Sequence, residues 1–108
     1  MFRIGVLVSG GGTNLQAIID RIEDGYLKDC TITSVVSSKE GVFALERAKK
    51  HGITAVCMAR KSYANTEEYS SALAVHFEAE KVDLIVLAGF LTVLSESFIN
   101  KFDNKIIN

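Results

Sequence analysis

The 108-residue chain is predicted to fold as an α/β domain, a Rossmann-like, mostly parallel sheet with helices on both faces. Three observations predict it. Apolar and β-branched runs alternate with segments whose apolar residues recur at helical spacing, and each parallel strand pairing needs such a crossover. Leu84-Ile85-Val86-Leu87-Ala88 is apolar throughout, as a strand covered on both faces is. The first run, Phe2 to Val8, passes directly into Ser9-Gly10-Gly11-Gly12-Thr13-Asn14 and then Leu15-Gln16-Ala17-Ile18-Ile19, the pattern of a strand, a tight turn and a helix.

The elements follow in order. After the first strand, Leu15, Ile18, Ile19 and Ile22 mark a helix to about Glu23, with Gly25 as its stop. Thr31 to Val36 is rich in β-branched residues and reads as a second strand. Phe43, Ala44, Leu45 and Ala48 predict a helix ending in Lys49-Lys50-His51 and Gly52, cations and a glycine where a helix C-terminus favours them. Ile53 to Met58 is the third strand. Asn65-Thr66-Glu67-Glu68 offers a capping box to a helix whose inner face is Tyr69, Ala72, Leu73 and Phe77. The Leu84–Ala88 strand comes next, then a short helix around Ser95 to Lys101, and Lys105-Ile106-Ile107-Asn108 begins a fifth strand.

In sheets of this kind ligands sit beyond the carboxyl ends of the strands, where the strand order reverses. Ser9 to Asn14, Ala88 to Leu94 and Asn108 fall on that edge and are expected to share one cleft. Amides after consecutive glycines, together with the positive end of a helix dipole, attract an anion. A P-loop would place Gly-Lys-Ser/Thr at the end of the run, and Gly12-Thr13-Asn14 carries no base, which argues against a nucleoside triphosphate. A dinucleotide fingerprint begun at Gly10 and Gly12 would need its third glycine at Leu15. A phosphomonoester held by the amides of Gly12, Thr13 and Asn14 fits better. The competing reading is a plain turn in which Thr13 or Asn14 caps the helix.

Composition narrows the function classes. The chain is expected to be one domain or part of one, and 12 basic against 13 acidic residues leave no electrostatic footprint for nucleic acid or an anionic membrane. No apolar run approaches the ~20 residues of a bilayer span, and a strand starting at Phe2 leaves no room for a signal peptide, so the expected location is the cytoplasm. Cys30 and Cys57, isolated among apolar neighbours, are expected to be buried thiols, with no metal site. The absence of proline suggests the first part of something longer.

Val8-Ser9-Gly10-Gly11-Gly12-Thr13-Asn14-Leu15-Gln16-Ala17-Ile18, with Leu45-Glu46-Arg47-Ala48 and Val86-Leu87-Ala88-Gly89-Phe90-Leu91, resembles the phosphoribosylglycinamide formyltransferase family of purine biosynthesis, in register to Ile106-Ile107-Asn108. Formyltransferases acting on methionyl-tRNA and the hydrolases of formyltetrahydrofolate share the fold but not this loop. The resemblance implies a formyltransferase that uses 10-formyltetrahydrofolate and no metal, with Gly12, Thr13 and Asn14 on the phosphate of 5-phosphoribosylglycinamide. It implies a folate pocket lined by the main chain of Leu91, Thr92, Val93 and Leu94, with Leu87, Phe90 and Ile99 as apolar walls. A flat heterocycle edged with donors and acceptors suits exposed backbone beside apolar side chains; the alternative is that Phe90 to Leu94 packs the start of the next helix. Family members commonly carry bases where this chain has Thr66 and Thr92.

Asn108 is the catalytic residue the resemblance implies, and it also borders the folate. An amide N–H at a strand end steadies the oxyanion of the tetrahedral intermediate in formyl transfer. In the family a histidine follows two residues later and an aspartate much later. The chain is accordingly expected to be the N-terminal part of such an enzyme, truncated at Asn108 and inactive alone, with an exposed sheet edge through which two copies could associate. His51 reads as a helix-end surface residue, and neither it nor His76 is expected to have a catalytic partner. Ser37-Ser38, Asp83 and Glu67-Glu68 are expected to cap or solvate their elements. The other function class that fits is a non-catalytic, flavodoxin-like α/β binding or signalling module.

Overall fold

The computed structural model describes residues 1–108 and contains the alternation expected: β1 (Phe2–Val8), α1 (Thr13–Glu23), β2 (Cys30–Ser37), α2 (Phe43–Lys50), β3 (Ala55–Cys57), a 3-10 turn (Arg60–Ser62), α3 (Thr66–Glu80), β4 (Leu84–Leu87), α4 (Glu96–Lys101) and β5 (Ile106–Ile107). The five strands form one sheet in the order β3-β2-β1-β4-β5, and every pairing is parallel. This is the Rossmann order and not the 2-1-3-4-5 order of flavodoxin-like sheets. The order reverses between β1 and β4, so the loops after those two strands leave in opposite directions and open a crevice at their carboxyl ends.

Period-2 alternation along β1 divides the core in two. Ile4, Val6 and Val8 pack with Leu15 and Ile19 of α1 and Ala44, Leu45 and Ala48 of α2. Leu7 faces the other way, with Tyr69, Leu73 and Phe77 of α3 and Phe98 of α4. Helices therefore cover both faces. On the α3 side Gly5 admits the Phe77 ring: a Cβ at Gly5 would lie 2.5 Å from its Cε1.

Several expectations are corrected. The third strand spans only Ala55–Cys57 of the expected Ile53 to Met58, being an edge strand with a single partner. On α3, Ala72 is half-buried while Ser70 and Ala74 are buried, because α4 covers the flank they occupy and the Ser95 N–H donates to Ser70 Oγ (2.9 Å). Cys57 is exposed because it ends the edge strand, and Cys30, which begins β2, is only half-buried, packed on the margin of the α1–α2 cluster. Asn65 caps α3 as expected, accepting the Glu68 N–H at 2.8 Å, while the Glu68 carboxylate reaches Ala64 N at 3.3 Å.

Tyr69 is fully buried, and its hydroxyl donates to the Met58 carbonyl at 2.8 Å, tying α3 to the end of β3. Burial, helped by the nearby Tyr63 and Cys57 and opposed by Arg60, pushes its pKa from 10.0 to about 12. The folded value exceeds the unfolded one, so this stabilisation is complete below pH 10 and is lost as pH rises from 10 towards 12. Tyr69→Phe is expected to cost about 1 kcal/mol at neutral pH by orphaning the carbonyl. Urea unfolding followed between those two pH values is expected to show a shallower fall in stability for the variant than for the parent.

Candidate functional site

The glycine loop is built by two helices pressing together. Gly12 is the N-cap of α1 in the left-handed conformation (φ 83°), and a Cβ there would stand 2.8 Å from Ala44 Cβ and 2.9 Å from Ala44 Cα at the start of α2. Only glycine fits both demands. At Gly10 and Gly11 an added Cβ meets nothing within 4 Å and φ is not left-handed, so folding does not require glycine at either. Neither Thr13 nor Asn14 caps the helix. The cap is Gly12, without a side-chain hydrogen bond, and no acid stands in the first turn. The amides of Gly10 to Leu15 find no acceptor in the protein, and Gly12 O receives the first helical bond, from Gln16 N at 2.8 Å. The α1 N-terminus thus presents a cluster of free donors at the topological switch point, the arrangement that favours an anion.

Arg47 of α2 holds the loop from behind. Its Nε donates to Gly11 O (2.8 Å), its Nη1 to Gln16 Oε1 (3.1 Å), and its guanidinium lies 4.8 Å from the centroid of the Phe43 ring. Sequence reasoning included Arg47 only in a motif and missed this role; its signal, a base one helical turn after Phe43, is legible only once α2 is known to abut the loop. Arg47→Gln is expected to weaken binding of a phosphomonoester about fivefold to tenfold, since roughly 1 kcal/mol of loop positioning is lost. Arg47→Lys would not restore it, because an ammonium cannot reproduce the paired Nε and Nη1 contacts. Isothermal titration with 5-phosphoribosylglycinamide reads the effect.

Ser9 joins the glycine loop to the segment after β4. Its Oγ is 2.7 Å from Ser38 Oγ and accepts the Leu91 N–H at 3.0 Å. Ser38 and Ser37 are buried tethers, not solvated caps: Ser37 Oγ donates to Lys39 O (2.6 Å) and accepts Lys39 N–H (3.0 Å). Asp83 accepts the Arg3 N–H, and Glu67 accepts from Ser97 Oγ. Of the main-chain N–H groups from Gly89 to Leu94, only that of Leu91 has a partner within the protein. Leu87, Phe90 and Leu94 pack partly on the α3 core, whereas Leu91 (80%), Val93 (70%) and Ile99 (50%) are exposed. Thr92 is half-buried, and Thr66 is the first residue of α3.

Asn108 lies on the same rim. Val86 pairs with Ile107, so Asn108 is level with Leu87 at the carboxyl end of β5, about 10 Å from β1 across two strand spacings. The sheet edge therefore brings together the glycine loop, the Phe90–Leu94 segment and Asn108.

A family model described as formyl transferase matches residues 2–108. The chain belongs to the formyl transferase family. It is 40% identical over 108 residues to the phosphoribosylglycinamide formyltransferase of Haemophilus influenzae, covering 100% of this chain and 50% of that protein. It is 41% identical over 107 residues to the trifunctional purine biosynthetic protein adenosine-3 of Chironomus tentans, covering 98% of this chain and 8% of that one. Glycinamide ribonucleotide transformylase 1 from Symbiobacterium toebii superposes with a TM-score of 0.92 at 38% identity, over 98% of this chain and 50% of that one. The chain thus spans half the length of the single-function relative and a small part of the trifunctional one. A flavodoxin-like module is not favoured, by family or by strand order.

The histidines of this formyl transferase chain stand elsewhere. Each has an acidic neighbour: His51 Nδ1 lies 2.6 Å from Glu23, and His76 Nε2 lies 3.4 Å from Glu80 and 2.9 Å from Ser34 Oγ. His51 caps the end of α2, at the amino edge of the sheet, and His76 sits over the middle of β2, where Thr33 and Ser34 also donate to Glu80. That cluster secures the register shift that faces Ile4 and Gly5 of β1. No helix is long and apolar enough to cross a membrane.

Proposed function

We propose that this chain supplies the substrate-phosphate site and part of the folate site of a phosphoribosylglycinamide formyltransferase, which moves the formyl group of 10-formyltetrahydrofolate to the glycinamide amine of 5-phosphoribosylglycinamide. The observation that carries this reading is the uncapped first turn of α1 at the switch point, with its row of unpartnered amides. Gly12, Thr13 and Asn14 bind the phosphate. The main chain of Leu91, Thr92, Val93 and Leu94, whose N–H groups are free except that of Leu91, takes the edge of the pterin, with Leu87, Phe90 and Ile99 as apolar walls.

The chemistry follows from that placement. The amine attacks the formyl carbon, and its oxygen becomes an oxyanion that the Asn108 carboxamide N–H steadies. Collapse expels N10 of the folate, which gains a proton as the amine loses one. An oxyanion donor of this kind is typically worth ~10²–10³ in rate. Neither His51 nor His76 reaches this edge to move those protons.

Denaturant unfolding tests the phosphate half. 5-Phosphoribosylglycinamide at 100 times its Kd is expected to stabilise the chain by ~2.7 kcal/mol. The dephosphorylated riboside at the same concentration is expected to add almost nothing. Equal stabilisation by both would place the binding energy outside the phosphate and overturn the assignment.

A further inference from the structure

The segment from Gly89 to Leu94 runs along the carboxyl edge on a single main-chain anchor. Gly89 turns it out of β4 in the left-handed conformation (φ 69°), where an added Cβ would meet nothing within 4 Å. Phe90 and Leu94 pack partly on the α3 core at either end. Between them the Leu91 N–H donates to Ser9 Oγ at 3.0 Å, and no other main-chain N–H or C=O of the segment bonds within the protein. The exposed Leu91 side chain adds little packing of its own.

The acceptor is fixed in place. Ser9 and Ser38 are buried at the ends of β1 and β2, with their hydroxyls 2.7 Å apart. Ser38 Oγ has no other partner, so this contact sets the Ser9 rotamer, and whichever hydroxyl donates, Ser9 keeps a lone pair for Leu91. Ser38 is itself held by its main chain: its N–H donates to Val8 O (3.0 Å) and its carbonyl accepts the Arg60 N–H (2.9 Å). A buried serine pair can serve packing alone. Here, however, the second bond of Ser9 leaves the β1–β2 pair and reaches the one rim segment that is otherwise untied. The glycine loop does not depend on it, because Gly10 O accepts the Ala44 N–H (3.1 Å) and Gly11 O accepts from Arg47 Nε (2.8 Å).

We propose that Ser9 is a positioning residue for the folate: through Leu91 its hydroxyl holds the backbone of Thr92 to Leu94 where the pterin edge needs it, while α2 holds the phosphate loop separately. This rests on the folate half of the proposed function.

The test measures the affinity of the 108-residue chain for tetrahydrofolate and for 5-phosphoribosylglycinamide by calorimetric titration, together with amide hydrogen exchange at Leu91. Ser9→Ala removes the acceptor, and Ser9→Cys keeps the shape of the side chain while offering only a weak one. Each is expected to weaken tetrahydrofolate binding about fivefold to tenfold and to speed exchange at Leu91 by at least about as much, with affinity for 5-phosphoribosylglycinamide within about twofold of the parent. Ser38→Ala loses the same buried Ser–Ser bond but leaves the Leu91 acceptor. It is expected to lower the urea midpoint by an amount comparable to Ser9→Ala, yet to keep tetrahydrofolate affinity within about twofold of the parent. A purely structural role would move the two alanine variants together. Tetrahydrofolate affinity unchanged in both Ser9 variants, or lowered equally in Ser38→Ala, overturns the positioning role and leaves the pterin assignment intact. If the parent binds no tetrahydrofolate while 5-phosphoribosylglycinamide still stabilises it, the folate assignment falls and the role of Ser9 with it.

Discussion

Replacing Gly12 with alanine is expected to destabilise the chain by about 2 to 3 kcal/mol and to weaken phosphomonoester binding by more than about tenfold. Two costs combine. The left-handed backbone at Gly12 (φ 83°) is unfavourable for any residue with a Cβ. The new methyl would also stand 2.8 Å from Ala44 Cβ and 2.9 Å from Ala44 Cα, and the latter is main chain that can yield only if α2 moves. Moving α2 displaces Arg47, which holds Gly11 O, so the first-turn amides lose their aim as the fold loses stability. Gly11→Ala is the control. It meets open space, and its stability is expected to stay within about 0.5 kcal/mol of the parent. Urea midpoints and calorimetric titration of the two variants separate the structural demand at Gly12 from the ligand's need for room.

Gly5→Ala is expected to cost about 1 to 3 kcal/mol, the range for overpacking a closed core. Gly5 lies in the central strand between β2 and β4, and its missing side chain is the space the Phe77 ring occupies: an added Cβ would be 2.5 Å from Cε1 and 2.7 Å from Cδ1, with Val82 Cγ1 at 3.3 Å. Phe77 is fully buried and cannot swing out. Phe77→Leu alone leaves a void and is also expected to destabilise. Together the two changes are expected to cost less than their sum, and a double-mutant cycle by urea unfolding measures that coupling.

These residues also mark what could be read without coordinates. The order of elements was legible because it rests on local signals: β-branched runs, helical spacing, and the Asn65 cap that the structure retains. The glycine run was legible as the turn that opens α1 because a strand, a turn and a helix N-terminus are contiguous in the chain. The Arg47–Gly11 bond, the Ser9–Ser38–Leu91 link and the Gly5–Phe77 contact were not, because each joins residues from elements that meet only when the sheet order is known. The capping alternative at Thr13 and Asn14 failed for a related reason. The helix begins at the position that Ala44 forces to be glycine, which leaves no capping side chain there. The exposure of Cys57 likewise depends on β3 being an edge strand, a property of the whole sheet.

The most direct measurement follows the backbone amides of the isotopically labelled chain by NMR while 5-phosphoribosylglycinamide is added. Saturable shifts concentrated at Gly12, Thr13 and Asn14, absent with the dephosphorylated riboside, are the predicted result. Saturable binding that leaves those three amides unmoved would contradict the assignment of the uncapped α1 turn as the phosphate site.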